Sequence, residues 1–247
     1  MITIKSKREI ELMKEAGRIV ALVLATLEEI IQPGITTAYL DKIASEIIIA
    51  NKAKPAFLGY GGFPATICAS VNDNLIHGIP NQKKLAEGDI LSIDVGAVYQ
   101  GYYGDAARTY PVGSVSSLAL RIIEVSKNSF YEGIKYVRAG NKLGDVSAAI
   151  GLYVRESGYS VPSDYCGHGI GTALHEEPAV HNQGEAGTGI ILKSGMVLAI
   201  EPMVLSRKAT TYVAADNWAV MASDKGLTSH YENTVLIKED GYEILTI

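Results

Sequence analysis

Four carboxylates stand where apolar strand-like runs end or begin. Asp94 closes the run Ile90-Leu91-Ser92-Ile93, and Asp105 follows eleven residues later, after Tyr99-Gln-Gly-Tyr-Tyr-Gly. A hairpin turning near Gln100-Gly101 would lay one strand against the other and make the two acids close cross-strand neighbours. Two bare carboxylates held that close repel, and a bound cation would remove the conflict. Glu201 ends Val197-Leu198-Ala199-Ile200 and precedes Pro202, while Glu232 sits in His230-Tyr-Glu-Asn-Thr-Val-Leu-Ile, just before a strong strand signal. Taken singly, each acid reads equally well as a solvated surface group.

Histidines supply the remaining chemistry. His168 lies in Gly167-His-Gly-Ile-Gly171, where glycines would let the backbone turn tightly and approach a ligand. Alone it is either a loop histidine or a metal ligand. His77 falls in Ile76-His-Gly-Ile-Pro80, and His175 in Leu174-His-Glu-Glu-Pro178. Beside a metal centre, each could polarise a peptide carbonyl or hold the scissile nitrogen. His181 and His230 read as background; His230, two residues before Glu232, would share its strand face in a supporting role.

Four carboxylates and one imidazole, without thiolates, favour hard divalent ions with open positions over a closed structural zinc site. Four acids can neutralise two divalent ions, as in two-metal hydrolytic centres. Cys68 and Cys166 form no Cys-x-x-Cys pair, and two cysteines make no disulfide framework. They read as reduced thiols.

The segments that must carry these residues occur twice. Lys7–Ile31 has apolar residues at helical spacing and stops at Pro33-Gly34; Thr37–Ala50 reads as a second helix. A Gly- and Pro-rich loop over 55–64 precedes strand-like segments at 65–71 and 89–99. The same order then returns: helices over 118–137 and 143–158, a Gly-rich stretch over 167–171, and a strand over 196–201. Gly88-Asp-Ile-Leu-Ser-Ile-Asp94 resembles Gly195-Met-Val-Leu-Ala-Ile-Glu201 at an offset of 107, and Gly34 and Gly140 differ by 106. An internal duplication is the economical explanation. Two halves, roughly 1–112 and 113–247, would each bring a carboxylate strand to a shared centre within one catalytic domain.

The 247 residues can bury a substantial core. A net charge of −5 gives no basic footprint for nucleic acid. The apolar run Ile19–Leu27 is too short to span a bilayer, and no targeting segment is legible, so a cytoplasmic protein is expected.

The ordered set His-Gly-Ile-Pro, Ser-Ile-Asp-Val-Gly, Gly-Tyr-Tyr-Gly-Asp, Gly-His-Gly-Ile-Gly, His-Glu-Glu-Pro, Ala-Ile-Glu-Pro and Tyr-Glu-Asn-Thr resembles the type I methionine aminopeptidases, from Lys7 to the end. The resemblance implies the α/β (α+β) pita-bread fold, with two pseudo-symmetric halves, curved antiparallel sheet inside and helices outside. It implies two divalent ions (Co, Mn, Fe, Zn or Ni) on Asp94, Asp105, His168, Glu201 and Glu232, with Asp105 and Glu232 bridging. The activity implied is removal of the initiator methionine from new polypeptides, preferentially before a small second residue, by metal-activated hydroxide attack. His77 and His175 match substrate-contacting histidines, and Glu201 matches a proton shuttle. Phe57, Tyr60, Phe63, Cys68, Leu174 and Trp218 match the methionine pocket, while Asn72, Asn74 and Thr228 match main-chain positions that bind a monovalent cation in some members.

The chain departs from that pattern at Asn233, where the family commonly has His. In a strand Asn233 would face away from Glu232, so ligation should survive. Phe57 beside the smaller Leu174 reverses the usual sizes. The chain resembles the minimal bacterial form, without a zinc-finger extension or the long type II insertion. A monomer is expected, with the N-terminal methionine of nascent polypeptides as partner and with ribosome contact; neither nucleic acid nor membrane is expected. Two rival readings are a prolidase or aminopeptidase P, which normally carries a further N-terminal domain, and a metal-free binding protein on the same fold, which would have lost ligands.

Overall fold

A computed structural model describes residues 2–247. Helix α1 (Lys7–Ile30) begins with a capping box: the Glu9 N–H donates to the Ser6 hydroxyl and the Ser6 N–H to the Glu9 carboxylate. It buries Met13, Gly17, Val20, Leu24 and Leu27 on one stripe. Helix α2 (Thr37–Ala50) is capped by the Thr36 hydroxyl. Strands β1 (Lys54–Pro55), β2 (Ile67–Val71), β3 (Asn74–Ile76), β4 (Ile90–Tyr99) and β5 (Tyr102–Pro111) follow. Then come α3 (Ser117–Ile134), α4 (Leu143–Glu156), β6 (Gly167–Gly169), β7 (Glu176–Val180), β8 (Val197–Ile200) and β9 (Met203–Leu205). The chain ends with β10 (Thr211–Val213), β11 (Val220–Ala222), β12 (Thr228–His230), β13 (Asn233–Lys238) and β14 (Gly241–Ile244).

All strand pairing is antiparallel. β4 gives one edge to β5 and shares the other between β2 and β1. The second half forms a five-stranded sheet in the order β14-β13-β8-β6-β7. Period-two alternation sorts the side chains. Leu91, Ile93, Val95 and Ala97 of β4, with Ala106 and Tyr110 of β5, pack into the core beneath α1 and α2. Leu198 and Ile200 of β8, with Val235 and Ile237 of β13, do the same beneath α3 and α4. The opposite faces carry Asp94, Asp105, Glu201 and Glu232, so helices lie outside and the acids inside.

The two parts of the chain share backbone detail at corresponding glycines. Gly34 and Gly140 both have φ +93°, and Gly88 and Gly195 have φ +93° and +88°, a left-handed geometry that favours glycine. The Gly34 N–H donates to the Leu85 carbonyl and the Gly140 N–H to that of Leu192, at 2.8 and 2.9 Å. The two sheets meet where Ala107 and Glu232 exchange main-chain hydrogen bonds of 3.4 and 3.0 Å.

One sequence expectation changes. Gly167–Gly169 is a strand inside the five-stranded sheet rather than a tight turn. A Cβ on Gly167 would overlap the Ala199 carbonyl, and one on Gly169 the Glu177 carbonyl. Close strand approach, not turning, is what requires these glycines. Among the described residues no helix is long and apolar enough to cross a membrane.

Candidate metal centre

The hairpin forms as its sequence demands. Gln100 and Gly101 take φ of 48° and 88° between β4 and β5, a two-residue turn whose twist matches the strands. Asp94 pairs with Ala107 and Asp105 with Gly96, so the two acids are diagonal neighbours on one face rather than directly opposed. From the other half, His168 on β6 lies opposite Ala199, and Glu201 follows β8 directly. Glu232 precedes β13, where Asn233 pairs with Ile200.

These donors converge. Asp105, His168 and Glu232 offer ligand atoms within 4.8 Å of one another, and so do Asp94, His230 and Glu232. Glu201 stands between the two imidazoles: its Oε1 is 3.6 Å from His168 Nε2 and its Oε2 is 3.3 Å from His230 Nε2. The His168 Nδ1–H donates to the Gly169 carbonyl at 2.9 Å, which leaves the Nε2 lone pair free.

Burial pushes every one of these carboxyls up: Asp94 to about 7, Glu201 to about 8, and Asp105 and Glu232 well above the carboxylate range. For Asp105 and Glu232 the neighbouring acids add to that rise. Burial also lowers His168 to about 4, so its imidazole is neutral at pH 7 and suited to ligation. Buried Asp94 Oδ1, Asp105 Oδ1, Glu232 Oε1 and His230 Nε2 have no hydrogen-bond partner among the described residues. Orphaned buried acceptors in a mutually repelling cluster fit divalent cations, whose charge would satisfy all of them.

Residues 11–239 match the model of metallopeptidase family M24. The chain is 49% identical to methionine aminopeptidase of Clostridium acetobutylicum over 100% of itself and 99% of that protein. It is 46% identical to methionine aminopeptidase 1 of Bacillus subtilis, again over 100% and 99%. A crystal structure of methionine aminopeptidase from Thermotoga maritima superposes with a TM-score of 0.98 at 45% identity, covering 100% of this chain and 99% of that one.

The chain belongs to metallopeptidase family M24.

In this M24 metallopeptidase the cluster opens into a cavity of about 300 Å³, lined by Phe57, Tyr60, Phe63, Cys68, Leu174 and Trp218 beside the carboxylates. Phe63 and Trp218 pack edge to face at 5.1 Å. His77 and His175 also line the cavity. His77 has φ +60° and precedes Gly78, where a Cβ would overlap the Ala69 carbonyl. That constrained backbone aims the ring inward. Burial lowers His77 to about 4. His175 meets His168 edge to face with ring centroids 4.3 Å apart, and its Nδ1 is 2.7 Å from the Tyr60 hydroxyl.

Asn72, Asn74 and Thr228 also come together: the Thr228 hydroxyl lies 2.9 Å from both the Asn72 and the Asn74 carbonyl oxygens. Asn233 faces away from Glu232, as its strand position requires, and accepts from the Arg108 guanidinium at 2.7 Å. Tyr165, Cys166 and Met203 line the cavity without having carried any sequence signal. His230, expected only in a supporting role on the Glu232 face, lies within the cluster itself. It carries no motif, yet it is 2% exposed and lies 3.7 Å from Glu232 Oε2. Its place two residues before Glu232 was the one available signal.

Proposed function

We propose that this M24 metallopeptidase is a methionine aminopeptidase that removes the initiator methionine from newly made polypeptides, preferentially when the second residue is small. The observation that carries the reading is the cluster of four carboxylates and His168 opening directly into a cavity walled by aromatic and apolar side chains. Full-length identity of 49% to a methionine aminopeptidase supports the same substrate.

Asp94, Asp105, His168, Glu201 and Glu232 would hold two divalent ions. Bound there, the ions would supply Lewis acidity and hydroxide near neutral pH. The chain's own groups do the rest. The aromatic and apolar lining takes the unbranched thioether of methionine, for which dispersion contact outweighs polarity. A Tyr60 hydroxyl donating to His175 Nδ1 leaves that ring's proton on Nε2, where it can donate to the oxygen that gains charge at the first carbonyl. His77, neutral near pH 7, positions the scissile nitrogen. Glu201 carries a proton toward the leaving amine. A monovalent cation at Asn72, Asn74 and Thr228 belongs to the proposal. So do a single catalytic domain with halves meeting near residue 112, and monomeric action in the cytoplasm on chains emerging at the ribosome.

The test is methionine release from Met-Ala-Ser beside Leu-Ala-Ser and Ala-Pro-Ser, after chelation and after restoring Co, Mn or Fe. Metal-restored cleavage of the methionine peptide alone is expected. Cleavage of the proline peptide would move the assignment to an aminopeptidase P.

A further inference from the structure

His230 is a buried imidazole without a role in the chemistry above. Its Nε2 has no hydrogen-bond partner among the described residues, and the side chain is 2% exposed. An unpartnered buried polar nitrogen costs about 1–3 kcal/mol unless something satisfies it. Three carboxylates stand close to it: Glu201 Oε2 at 3.3 Å, Glu232 Oε2 at 3.7 Å, and a ligand atom of Asp94 within 4.8 Å.

Those distances are too long for a formed charge-assisted hydrogen bond, which closes to about 2.7–2.9 Å. They suit two ligands of one ion. With metal–nitrogen and metal–oxygen bonds of about 2.0–2.2 Å, neighbouring donors stand roughly 2.9 Å apart at a right angle and 3.4 Å apart at a tetrahedral one. His168 gives an internal standard, since its Nε2 stands 3.6 Å from the other oxygen of the same Glu201. The two imidazoles therefore flank Glu201 in the same way. Each also belongs to its own group, His168 with Asp105 and Glu232, His230 with Asp94 and Glu232.

The backbone of His230 is fixed for the purpose. Its N–H donates to the Thr109 hydroxyl at 2.9 Å, and that hydroxyl lies 2.9 Å from the His230 carbonyl oxygen. Ser92 and Ser229 hold Thr109 in turn, at 2.8 and 3.0 Å. A ligand held by packed partners loses little freedom on binding.

We infer that His230 is a sixth protein ligand, giving the ion on the Asp94 side an imidazole of its own beside Asp94 and Glu232. The centre then has one histidine per ion. A nitrogen donor on that side favours Co, Ni or Zn over Mn at that position. The inference rests on the two-ion reading given under Proposed function.

The experiment is calorimetric titration of the metal-free full chain with Co(II), with the visible spectrum recorded at each step, beside His230→Gln and His230→Ala. In both variants one of the two binding steps should weaken roughly tenfold or more and change its spectrum, while the other keeps wild-type affinity. Glutamine keeps a polar group of similar reach, so His230→Gln carries the test if the alanine variant is unstable; circular dichroism of the metal-free forms decides that. Two steps with wild-type affinities and spectra in the variants would overturn the assignment alone. Failure of the wild type to take a second ion would overturn the two-ion reading, and this assignment with it.

Discussion

Thr234 clasps Asp105 across the seam between the halves: its hydroxyl accepts from the Asp105 N–H and donates to the Asp105 carbonyl, both at 2.9 Å. The main chain that aims a first-half carboxylate is thus fixed by a second-half side chain. Thr234→Val keeps the volume and strands a buried N–H, at a cost of about 1–3 kcal/mol. The expected result is a lower Tm by calorimetry, by about 2–4 °C per kcal/mol lost, together with weaker metal retention. An unchanged Tm would mean the seam is held elsewhere.

Asp94→Ala and Asp105→Ala should each abolish metal-dependent turnover of Met-Ala-Ser, since each removes a charge that holds the ions. Near-normal activity in either variant would sink the site assignment. His175→Ala should slow turnover far more than it weakens metal binding. Equal loss of metal would make it a ligand.

Metal-free protein should become less stable as pH rises. Asp94 and Glu201 are pushed up to about 7 and about 8 by burial, from 3.8 and 4.5. The folded state therefore binds more protons than the unfolded chain, and stability falls with increasing pH. The contribution is complete below about pH 4 and is lost as pH passes through 7 and 8. Metal uptake displaces those protons and should strengthen over the same window. Calorimetry in chelator from mildly acidic to mildly alkaline pH checks the sign. A Tm that rises across that range contradicts it.

Gly96 backs the Phe57 ring that lines the cavity. A Cβ there would come within 2.9 Å of Phe57 Cε1 and 2.8 Å of the Ala56 Cβ. Gly96→Ala should push the Phe57 ring into the cavity and lower kcat/KM for the methionine peptide about tenfold or more, as one methylene does in a tight apolar pocket. Peptides with a shorter first side chain should lose less. A uniform loss on all peptides would place the damage at Asp105, which pairs with Gly96, instead of in the pocket.

What could be read from the chain was what local pattern controls. Gln100-Gly101 between two alternating runs announced the hairpin, and hence the shared face of Asp94 and Asp105. Gly34, Gly88, Gly140 and Gly195 announced matching left-handed turns, because that backbone leaves a mark in the letters. Gly167–Gly169 misled because glycine serves both turning and close packing, and only the partner strand distinguishes the two. The same holds for His230 and for the Thr234 clasp. Both depend on partners more than a hundred residues away, Thr109 for one and Asp105 for the other. The Arg108 side chain binds Asn233, the Glu232 carbonyl and the Tyr231 ring together, and no one-dimensional signal marks that junction either.

The donors are split between the halves, Asp94 and Asp105 before residue 112 and His168, Glu201 and Glu232 after it. On the proposed two-ion reading, neither set alone would supply enough charge or enough ligands. A chain still being synthesised would therefore lack hydrolytic power until Glu232 has been added and the seam has closed. Activity on peptides would then report that both ends of the chain have folded against each other.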